Sequence, residues 1–238
     1  DMQNLSQLLK ANAYPGRGIL LGRSANDQYA VAAYFIMGRS ENSRNRVFVP
    51  TEDGIRTQAF DPSKMTDPSL IIYHPVRKVG RGLVVTNGDQ TDTVRDGLLA
   101  GQTFASALHT RTFEPDGPNY TPRISGLLSP DGSYKLSILK AADETGKRCL
   151  RQAFEYPGQP GLGHFLHTYA GDGDPLPSFA GEPEQVAVEG DIDSLASAVW
   201  DALDEANRIS LFVRFTDLET RDFQQRIVNK YSGKETQA

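Results

Sequence analysis

The sequence predicts an α+β fold in which helices cover one or two packed β-sheets. Short β-rich runs outnumber the helical patterns, and the helical patterns follow a first set of strands and return after a second set. The run 29–36 is almost continuously apolar, which is typical of a strand covered on both faces. A layered architecture accounts for all of these observations.

The first half of the chain is expected to open with a helical turn. Residues 1–15 carry a short amphipathic pattern that ends at the breaker pair Pro15-Gly16. Strands are predicted at residues 18–21, 28–37, 70–73 and 83–86. The stretch 89–109 has helical spacing interrupted near Gly101, which favours two consecutive helices, and the boundary between the halves is expected near 113–123.

The second half repeats the pattern of strands followed by helix. Strands are predicted at residues 123–128, 134–139, 148–156, 163–169 and 209–215. The strongest helical pattern spans Asp191–Ala206, where apolar side chains recur on one face and Asp191 is suited to cap the start. A polar helix is predicted over 217–231, and 232–238 is expected to be a frayed tail.

Composition indicates an ordinary soluble protein. The 238 residues (26.1 kDa) are 38% hydrophobic and 23% charged, with a mean hydropathy of −0.45, and the longest apolar run, 29–37, is far shorter than a membrane-spanning helix of ~20 residues. The N-terminus lacks a secretory pattern, and Cys149 is the only cysteine, so no intramolecular disulfide forms. We expect a single cytoplasmic domain over 1–238, with 1–15 as an N-terminal extension and no membrane partner.

The charge distribution points to a small anionic ligand. A net charge of −5 and a pI near 5.4 disfavour a nucleic-acid partner. Basic residues nevertheless cluster in the first fifth of the chain, at Arg17, Arg23, Arg39, Arg44 and Arg46. Between Gly16 and Pro50 the only acidic residues are Asp27 and Glu41.

The segment 38–46 is a candidate phosphate site because it follows a buried strand directly. Arg39, Ser40 and Arg44 supply guanidinium and hydroxyl donors, and a guanidinium matches a phosphate with two parallel hydrogen bonds. The alternative is a charged loop that only faces water.

A second candidate segment lies where the strand 83–86 enters a helix. Asn87, Gly88 and Asp92 are placed to bind a polar ligand with the first helical N–H groups. The alternative is that Asn87-Gly88 is only a turn and that the aspartates only cap the helix.

The third candidate segment leads into the strand at 123. Proline at 122 biases Thr121 toward extended backbone and orients Tyr120, Thr121 and Arg123. Glu114, a few residues earlier, is a candidate acid or base if its loop folds back, although most glutamates of this kind are simply exposed.

Several common site types lack their local motif. His164 and His167 are three apart on a predicted strand and so face opposite sides, and no HExxH or CxxC occurs, so no metal site is predicted. The dinucleotide, P-loop and nucleophile-elbow motifs are absent as well.

Taken in order, these motifs resemble those of the archaeal-type IMP cyclohydrolases, from about Gly18 to about Asp217. The segments that carry the resemblance are Tyr34, Arg39-Ser40, Arg44, Tyr73, Val84–Gly88, Thr91-Asp92, Phe113-Glu114 and Thr121–Ile124. The resemblance implies two packed antiparallel sheets flanked by helices (αββα), as in N-terminal nucleophile hydrolases. It also implies dehydrative ring closure of 5-formamidoimidazole-4-carboxamide ribonucleotide to inosine monophosphate in purine biosynthesis. Tyr120 departs from the pattern, since a lysine can occur there.

The resemblance assigns roles to the candidate residues. Arg39, Ser40 and Arg44 bind the phosphate or ribose, Asn87 and Asp92 hold the sugar or carboxamide, Arg123 and Tyr73 stabilise the oxyanion, Glu114 moves protons, and Tyr34, Gly88, Tyr120 and Thr121 complete the substrate-binding set. The expected partner is a purine ribonucleotide, without metal or cofactor. A homo-oligomer is compatible with the sequence, and the oligomeric state is left open.

Three other classes remain as alternatives. A purine-nucleotide-binding protein without catalysis keeps the same motifs, and a partner-binding scaffold needs none of them. An N-terminal nucleophile amidase needs Cys, Ser or Thr at the mature start, whereas this sequence opens Asp1-Met2-Gln3. We therefore expect the fold without the N-terminal nucleophile.

Overall fold

The computed structural model describes residues 1–231 and shows two antiparallel β-sheets packed face to face. The predicted tail, 232–238, lies outside the described residues. The six-stranded sheet contains, in spatial order, β11 (Glu184–Ala187), β10 (Leu162–His167), β1 (Gly18–Arg23), β2 (Tyr29–Met37), β12 (Arg208–Asp217) and β13 (Phe223–Asn229).

The second sheet is a meander in which each strand pairs with the next along the chain. This seven-stranded sheet contains β3 (Arg46–Pro50), β4 (Gly54–Ala59), β5 (Val76–Val79), β6 (Gly82–Thr86), β7 (Arg123–Leu128), β8 (Tyr134–Ala141) and β9 (Cys149–Tyr156). Antiparallel neighbours need only short turns, such as those between β5 and β6 and between β7 and β8, whereas residues 87–122 separate β6 from β7.

Strand β2 shows why its sequence is apolar on both faces. Its even-numbered residues from Ala30 to Ile36 pack between the two sheets, whereas Val31 and its odd-numbered neighbours belong to a second core under the helices. Since successive side chains of a strand point to opposite faces, both sets must be apolar.

Helices cover the outer face of each sheet and complete the αββα order. Against the six-stranded sheet lie α1 (Leu5–Ala11) and α5 (Ile192–Ala202), and against the seven-stranded sheet lies α3 (Gln90–Leu99), followed by the short α4 (Phe104–Ala107). The one-turn helix α2 (Glu41–Arg44) connects β2 to β3. The predicted α+β fold of two packed antiparallel sheets flanked by helices is confirmed.

The polar helix predicted over 217–231 is wrong. The segment turns at Asp217, whose carboxylate accepts hydrogen bonds from the backbone N–H groups of Glu219 and Thr220, and then returns as β13 beside β12. Edge strand β13 has a largely exposed face, so its sequence is too polar to show the pattern of a buried strand.

Other local predictions also differ from the structure. Residues 70–73 form a turn held by the Pro68 carbonyl rather than a strand, and the true partner of β6 is β5. Strands β3, β4 and β11 were not predicted. The break near Gly101 is confirmed, since this glycine has φ +84° between α3 and α4. Within residues 1–231 no helix has the length and apolar character needed to cross a membrane.

The two sheets bring several strand ends together at one end of the sandwich. Arg17 immediately precedes β1, Arg46 begins β3, and Tyr169 follows β10. Tyr73 lies before β5 and Thr121 before β7. Residues distant in sequence therefore meet where the two sheets join.

The core between the sheets sets the stability of the fold. Leu166 is fully buried there, whereas Leu99 at the end of α3 is 72% exposed. We expect Leu166→Ala to lower the free energy of unfolding by about 2–5 kcal/mol, because it removes buried methyl groups and leaves a cavity. The control Leu99→Ala should change it by less than about 0.5 kcal/mol. Urea unfolding measures both, and similar losses would contradict this packing.

Candidate active site

The centre of the site is Glu114, a carboxylate that is only 3% exposed. Its loop has no regular secondary structure and is held by a hydrogen bond from the Glu114 N–H to the Thr121 carbonyl oxygen (2.9 Å). Arg17 Nη2 lies 3.5 Å from Glu114 Oε1. Within residues 1–231, this buried oxygen has no hydrogen-bond partner. An unsatisfied carboxylate oxygen at this depth is available to a ligand.

The surroundings of Glu114 place its titration near neutrality. Burial raises its pKa from 4.5 to about 7, the Asp116 carboxylate adds to this, and the guanidinium of Arg17 partly opposes it. Both protonation states of the side chain are therefore populated near pH 7, as proton transfer in both directions requires.

A pair of tyrosines forms the floor beside this carboxylate. Tyr34 on β2 and Tyr73 share a hydrogen bond of 2.6 Å between their hydroxyl oxygens, and both rings are buried. The Tyr73 N–H donates to Thr57 Oγ1 (2.9 Å), which fixes the segment before β5. Burial raises the pKa of both phenols, so both remain proton donors at neutral pH.

A second buried arginine, Arg46, adds positive charge to the cluster beside Arg17. Arg46 is 1% exposed and donates from Nε to the Ser43 carbonyl oxygen (2.6 Å). Burial lowers the Arg46 pKa. Arg46 Nη2 and Arg17 Nε are both buried without a partner within residues 1–231. Buried guanidinium donors without acceptors favour an anionic ligand that supplies them.

Arg17 links the members of the cluster. Burial opposes its charge, but the nearby groups of Tyr169, Glu114, Tyr34 and Tyr73 raise the pKa of Arg17 well above its usual value. Its guanidinium carbon lies 5.8 Å from the centre of the Tyr169 ring. Arg17 is thus a fixed cation that pairs with Glu114, lies over the Tyr169 ring and acts electrostatically on Tyr34 and Tyr73.

One wall of the site is built by Thr121 and Tyr169. Their hydroxyl oxygens are 2.6 Å apart, and Thr121 Oγ1 also donates to Asp116 Oδ2 (2.5 Å). The Tyr169 ring stacks on Tyr14 with 5.7 Å between centres, and the Arg39 guanidinium carbon lies 5.3 Å from the centre of the Tyr14 ring. This chain of contacts extends the cluster to the surface at Arg39.

The opposite wall is a network of side-chain hydrogen bonds between β6 and β7. Asn87 Oδ1 accepts from the Ile124 N–H (3.0 Å) and from Gln90 Nε2 (2.9 Å). Arg123 Nη1 donates to Gln90 Oε1 (3.1 Å). A Cβ at position 88 would lie 2.5 Å from Gln90 Oε1 and 2.8 Å from Arg123 Nη1, so a larger residue there would displace these two side chains.

The predicted phosphate segment is only partly directed at the cluster. Arg39 pairs with Asp172 at 2.8 Å, and its side chain is 37% exposed. Ser40 caps α2 by accepting a hydrogen bond from the Ser43 N–H. Arg44 donates to the Gly38 carbonyl oxygen and to Asn207 Oδ1, both at 2.9 Å. Of these residues, Arg39 alone is in contact with an aromatic ring of the cluster.

Two predicted residues lie at the edge of the site. Asp92 pairs with Arg77 (2.9 Å) and Arg95 (3.6 Å), away from the members of the cluster. Tyr120 packs edge-on against Phe113 and has a left-handed backbone with φ +44°. The structure thus joins Tyr34, Tyr73, Glu114, Thr121 and Arg123 around one centre, with Asn87 and Gly88 supporting it.

Sequence reasoning missed several members of the cluster. Arg17 and Arg46 were noticed only as part of a basic segment, and Tyr14, Asp116 and Tyr169 were not selected. The signal that could have identified them is their position relative to the strands. Arg17, Arg46 and Tyr169 each flank or begin a strand at the same end of the sandwich. Among residues 1–231, no three His, Cys, Asp or Glu side chains are grouped in a way that would hold a metal.

These features define a class of protein: an αββα fold with a buried carboxylate of raised pKa in a cationic, phenol-lined site between its sheets. Residues 14–221 match the model of the IMP cyclohydrolase-like protein family. The chain belongs to this family.

Named relatives agree with this assignment. The IMP cyclohydrolase of Methanopyrus kandleri is 31% identical over 181 residues, which are 70% of this chain and 89% of the relative. That of Methanococcus aeolicus is 28% identical over 160 residues, 66% of this chain and 74% of the relative. The IMP cyclohydrolase of Halobacterium salinarum is 32% identical over 132 residues, and the match spans 63% of that relative's length.

The raised pKa of Glu114 predicts a pH-dependent cost to stability. The folded protein binds the Glu114 proton more tightly than the unfolded chain, so this group's stabilising contribution is full below about pH 4.5 and is lost as the pH rises to about 7. Glu114→Gln removes that loss. The free energy of unfolding of the variant should therefore increase relative to the wild type by about 2–3 kcal/mol across this interval. Denaturant unfolding at several pH values measures it, and a constant difference would contradict the buried titration.

Proposed function

We propose that this protein is an IMP cyclohydrolase, which closes 5-formamidoimidazole-4-carboxamide ribonucleotide to inosine monophosphate with release of water. The observation that carries the proposal is Glu114, buried beside Arg17 with a pKa of about 7 at the centre of a cationic site. The family and the relatives named IMP cyclohydrolase support the same reaction.

The reaction requires positioning of the two reacting groups and proton transfer, but no external nucleophile. The carboxamide nitrogen of the substrate attacks its formyl carbon, and a carbon–nitrogen bond forms while the formyl oxygen becomes an alkoxide. Transfer of the proton released by the attacking nitrogen converts that oxygen to a hydroxyl group. The hydroxyl group takes up a second proton and leaves as water, while the former formamido nitrogen gives up its proton and a carbon–nitrogen double bond completes the aromatic ring. The protein has to hold the two groups together and stabilise the developing oxyanion.

We assign the proton transfers of this reaction to the Glu114 carboxyl group. In its ionised form it accepts a proton from the attacking nitrogen, and in its protonated form it donates a proton to the departing oxygen. A pKa of about 7 makes both forms available at little cost near neutral pH.

The developing negative charge is assigned to the phenols and guanidinium groups. Tyr73 and Arg123 stabilise the oxyanion, as the sequence predicted, and Arg17 joins them because it pairs with Glu114 and acts electrostatically on the tyrosine pair. Tyr34 acts through Tyr73, to which it is hydrogen-bonded at 2.6 Å. These donors are held by the fold before substrate binds, which lowers their reorganisation cost.

The remaining predicted residues are assigned to binding and support. Arg39 at the rim meets the phosphate, with Ser40 and Arg44 in the same segment. Asn87 is a positioning residue because its amide already joins β6 to β7.

Three further predicted residues complete the set. Gly88 lies beside Arg123, Thr121 lines the wall beside Glu114, and Tyr120 binds the substrate from the edge of the site. Asp92 stabilises the start of α3 through its ion pair with Arg77. Binding of the sugar is therefore assigned to residues nearer the centre of the site.

The proposed partner is a purine ribonucleotide. Because the nucleophile is part of the substrate, the chemistry proceeds without metal or cofactor, as expected for a hydrolase that acts on cyclic amidines.

Replacing Glu114 tests the proposal directly. Glu114→Gln should lower kcat by about 10²–10⁴-fold, the usual contribution of general acid or base catalysis, while the protein stays folded. Ring closure is followed by ultraviolet absorbance after the formylated ribonucleotide is added. The matched control is Glu155→Gln, since Glu155 pairs with Lys135 at 3.4 Å but is exposed on β9. The control should keep wild-type turnover.

The outcome that contradicts the proposal is a purine-nucleotide-binding protein without turnover. In that case inosine monophosphate binds, as measured by calorimetry, but the wild-type protein does not accelerate ring closure. Full turnover in Glu114→Gln would leave the reaction in place and remove the role assigned to Glu114.

The rim arginine should affect substrate binding more than the chemical step. Arg39→Ala should raise KM by about tenfold with a smaller change in kcat, because it removes a phosphate contact distant from the reacting atoms. The control is Arg148→Ala, which breaks a similar ion pair with Asp143 (2.7 Å) on another hairpin. An unchanged KM in Arg39→Ala would show that the segment only faces solvent.

A further inference from the structure

A cavity opens at the end of the sandwich opposite the candidate active site. It has a volume of about 440 Å³ and is bounded by the turns of the hairpins β5–β6, β7–β8 and β12–β13. We call it the distal cavity. Ala30 lines it, and Ala30 precedes Tyr34 by four residues on the same face of β2, so the two sites are separated by about 13 Å along the strand.

The distal cavity contains a buried cation without a carboxylate partner. Arg214 lies opposite Ala32 in the pairing of β12 with β2, so its side chain points between the sheets. It is only 7% exposed. Its Nε and Nη2 donate to the neutral Gln225 Oε1 (3.1 and 2.6 Å), and within residues 1–231 Nη1 has no protein acceptor.

Aromatic rings fix the orientation of this guanidinium. Its carbon lies 3.9 Å from the centre of the Phe223 ring and 5.6 Å from that of Phe212. Burial lowers the pKa of Arg214 to about 10, which leaves it protonated at neutral pH. A rigid, desolvated guanidinium with a free N–H edge is well suited to bind an anion with two oxygens.

Other charges around the distal cavity have the same sign. Lys78 and Arg81 on the β5–β6 hairpin line it with exposed side chains, and Arg221 is held in place by donating to the Pro130 carbonyl oxygen. Glu219 is the one carboxylate in the lining. Four cations against one anion leave three positive charges, on a chain whose net charge is −5. Such a local reversal marks an anion site better than composition does.

Most of the remaining lining is apolar and selects for the rest of the ligand. Leu83, Leu128 and Leu218 line the cavity, and the Phe223 ring is 54% exposed at its edge. A volume of about 440 Å³ falls in the range of ~300–1,000 Å³ typical of small-molecule sites. A simple inorganic anion would leave these apolar groups uncovered.

We propose that the distal cavity binds a nucleoside diphosphate or a similar pyrophosphate ester, independently of the candidate active site. Its pyrophosphate, with about three negative charges at neutral pH, matches the excess of positive charge, and its flat base covers the apolar lining. Phe223 and Gln225, which hold Arg214, lie beyond residue 221, where the family match ends. The distal cavity therefore depends on a segment outside the matched region, and it does not rest on the ring-closing activity.

Calorimetric titration with ADP in a phosphate-free buffer tests the proposal. The wild type should bind with a Kd in the micromolar range, and the double variant Lys78→Ala/Arg81→Ala should bind at least about tenfold more weakly, because both side chains are exposed and their loss spares the core. The control Lys10→Ala/Arg148→Ala removes the same charge elsewhere and should keep the wild-type affinity.

Three results would overturn the proposal. The first is no saturable binding of ADP to the wild type at millimolar concentration. The second is binding that Arg39→Ala abolishes and Lys78→Ala/Arg81→Ala does not, which would place ADP in the candidate active site. The third is inorganic phosphate binding as tightly as ADP, since the site would then recognise a phosphate group without the ester. We expect inorganic phosphate to bind at least about tenfold more weakly.

Discussion

The candidate site depends on one constraint, which is the burial of Glu114 beside Arg17 and Arg46, each of which keeps a buried guanidinium nitrogen without an acceptor in the described part of the chain. Glu114 is 3% exposed, and the charges of Arg17, Arg123 and Arg46 all act on it, with Asp116 as the other nearby acid. Taking isolated charges out of water costs several kcal/mol each unless they are paired. The two sheets supply the packing that keeps these groups in place, and a bound anion would complete their pairing.

The same architecture explains why the sandwich has a polar site at each end and an apolar middle. Tyr34 and Ala30 lie on one face of β2, and the core between them contains no charged side chain of this strand. At one end Arg17 and Arg46 are buried beside a carboxylate, whereas at the other Arg214 is buried beside a neutral amide. Only the first arrangement contains a group that exchanges protons near neutral pH, so only that end is equipped for acid–base chemistry.

How much the sequence predicts depends on how far apart the interacting residues are. The apolar run of β2 and the stripe of α5 report burial through local periodicity, so the layered fold was predictable. Edge strand β13 carries no such pattern, and its polar sequence predicts a helix instead. Glu114 was selected with Thr121 because both stand near a strand entrance, but its depth was not predictable, since glutamates are seldom buried. Arg17 and Tyr169 meet only through tertiary structure and have no local signature.

In the proposed reaction, the balance at Glu114 links stability to function. A carboxylate with ordinary solvation would be ionised at pH 7 and would make a poor donor to a departing oxygen. A fully apolar pocket would keep it neutral and prevent it from accepting a proton. Burial raises its pKa and Arg17 lowers it, and the two effects meet at about 7, where neither form is costly to reach. The folded state gives up stability at neutral pH to hold this balance, which is the trade-off expected where activity needs a destabilised group.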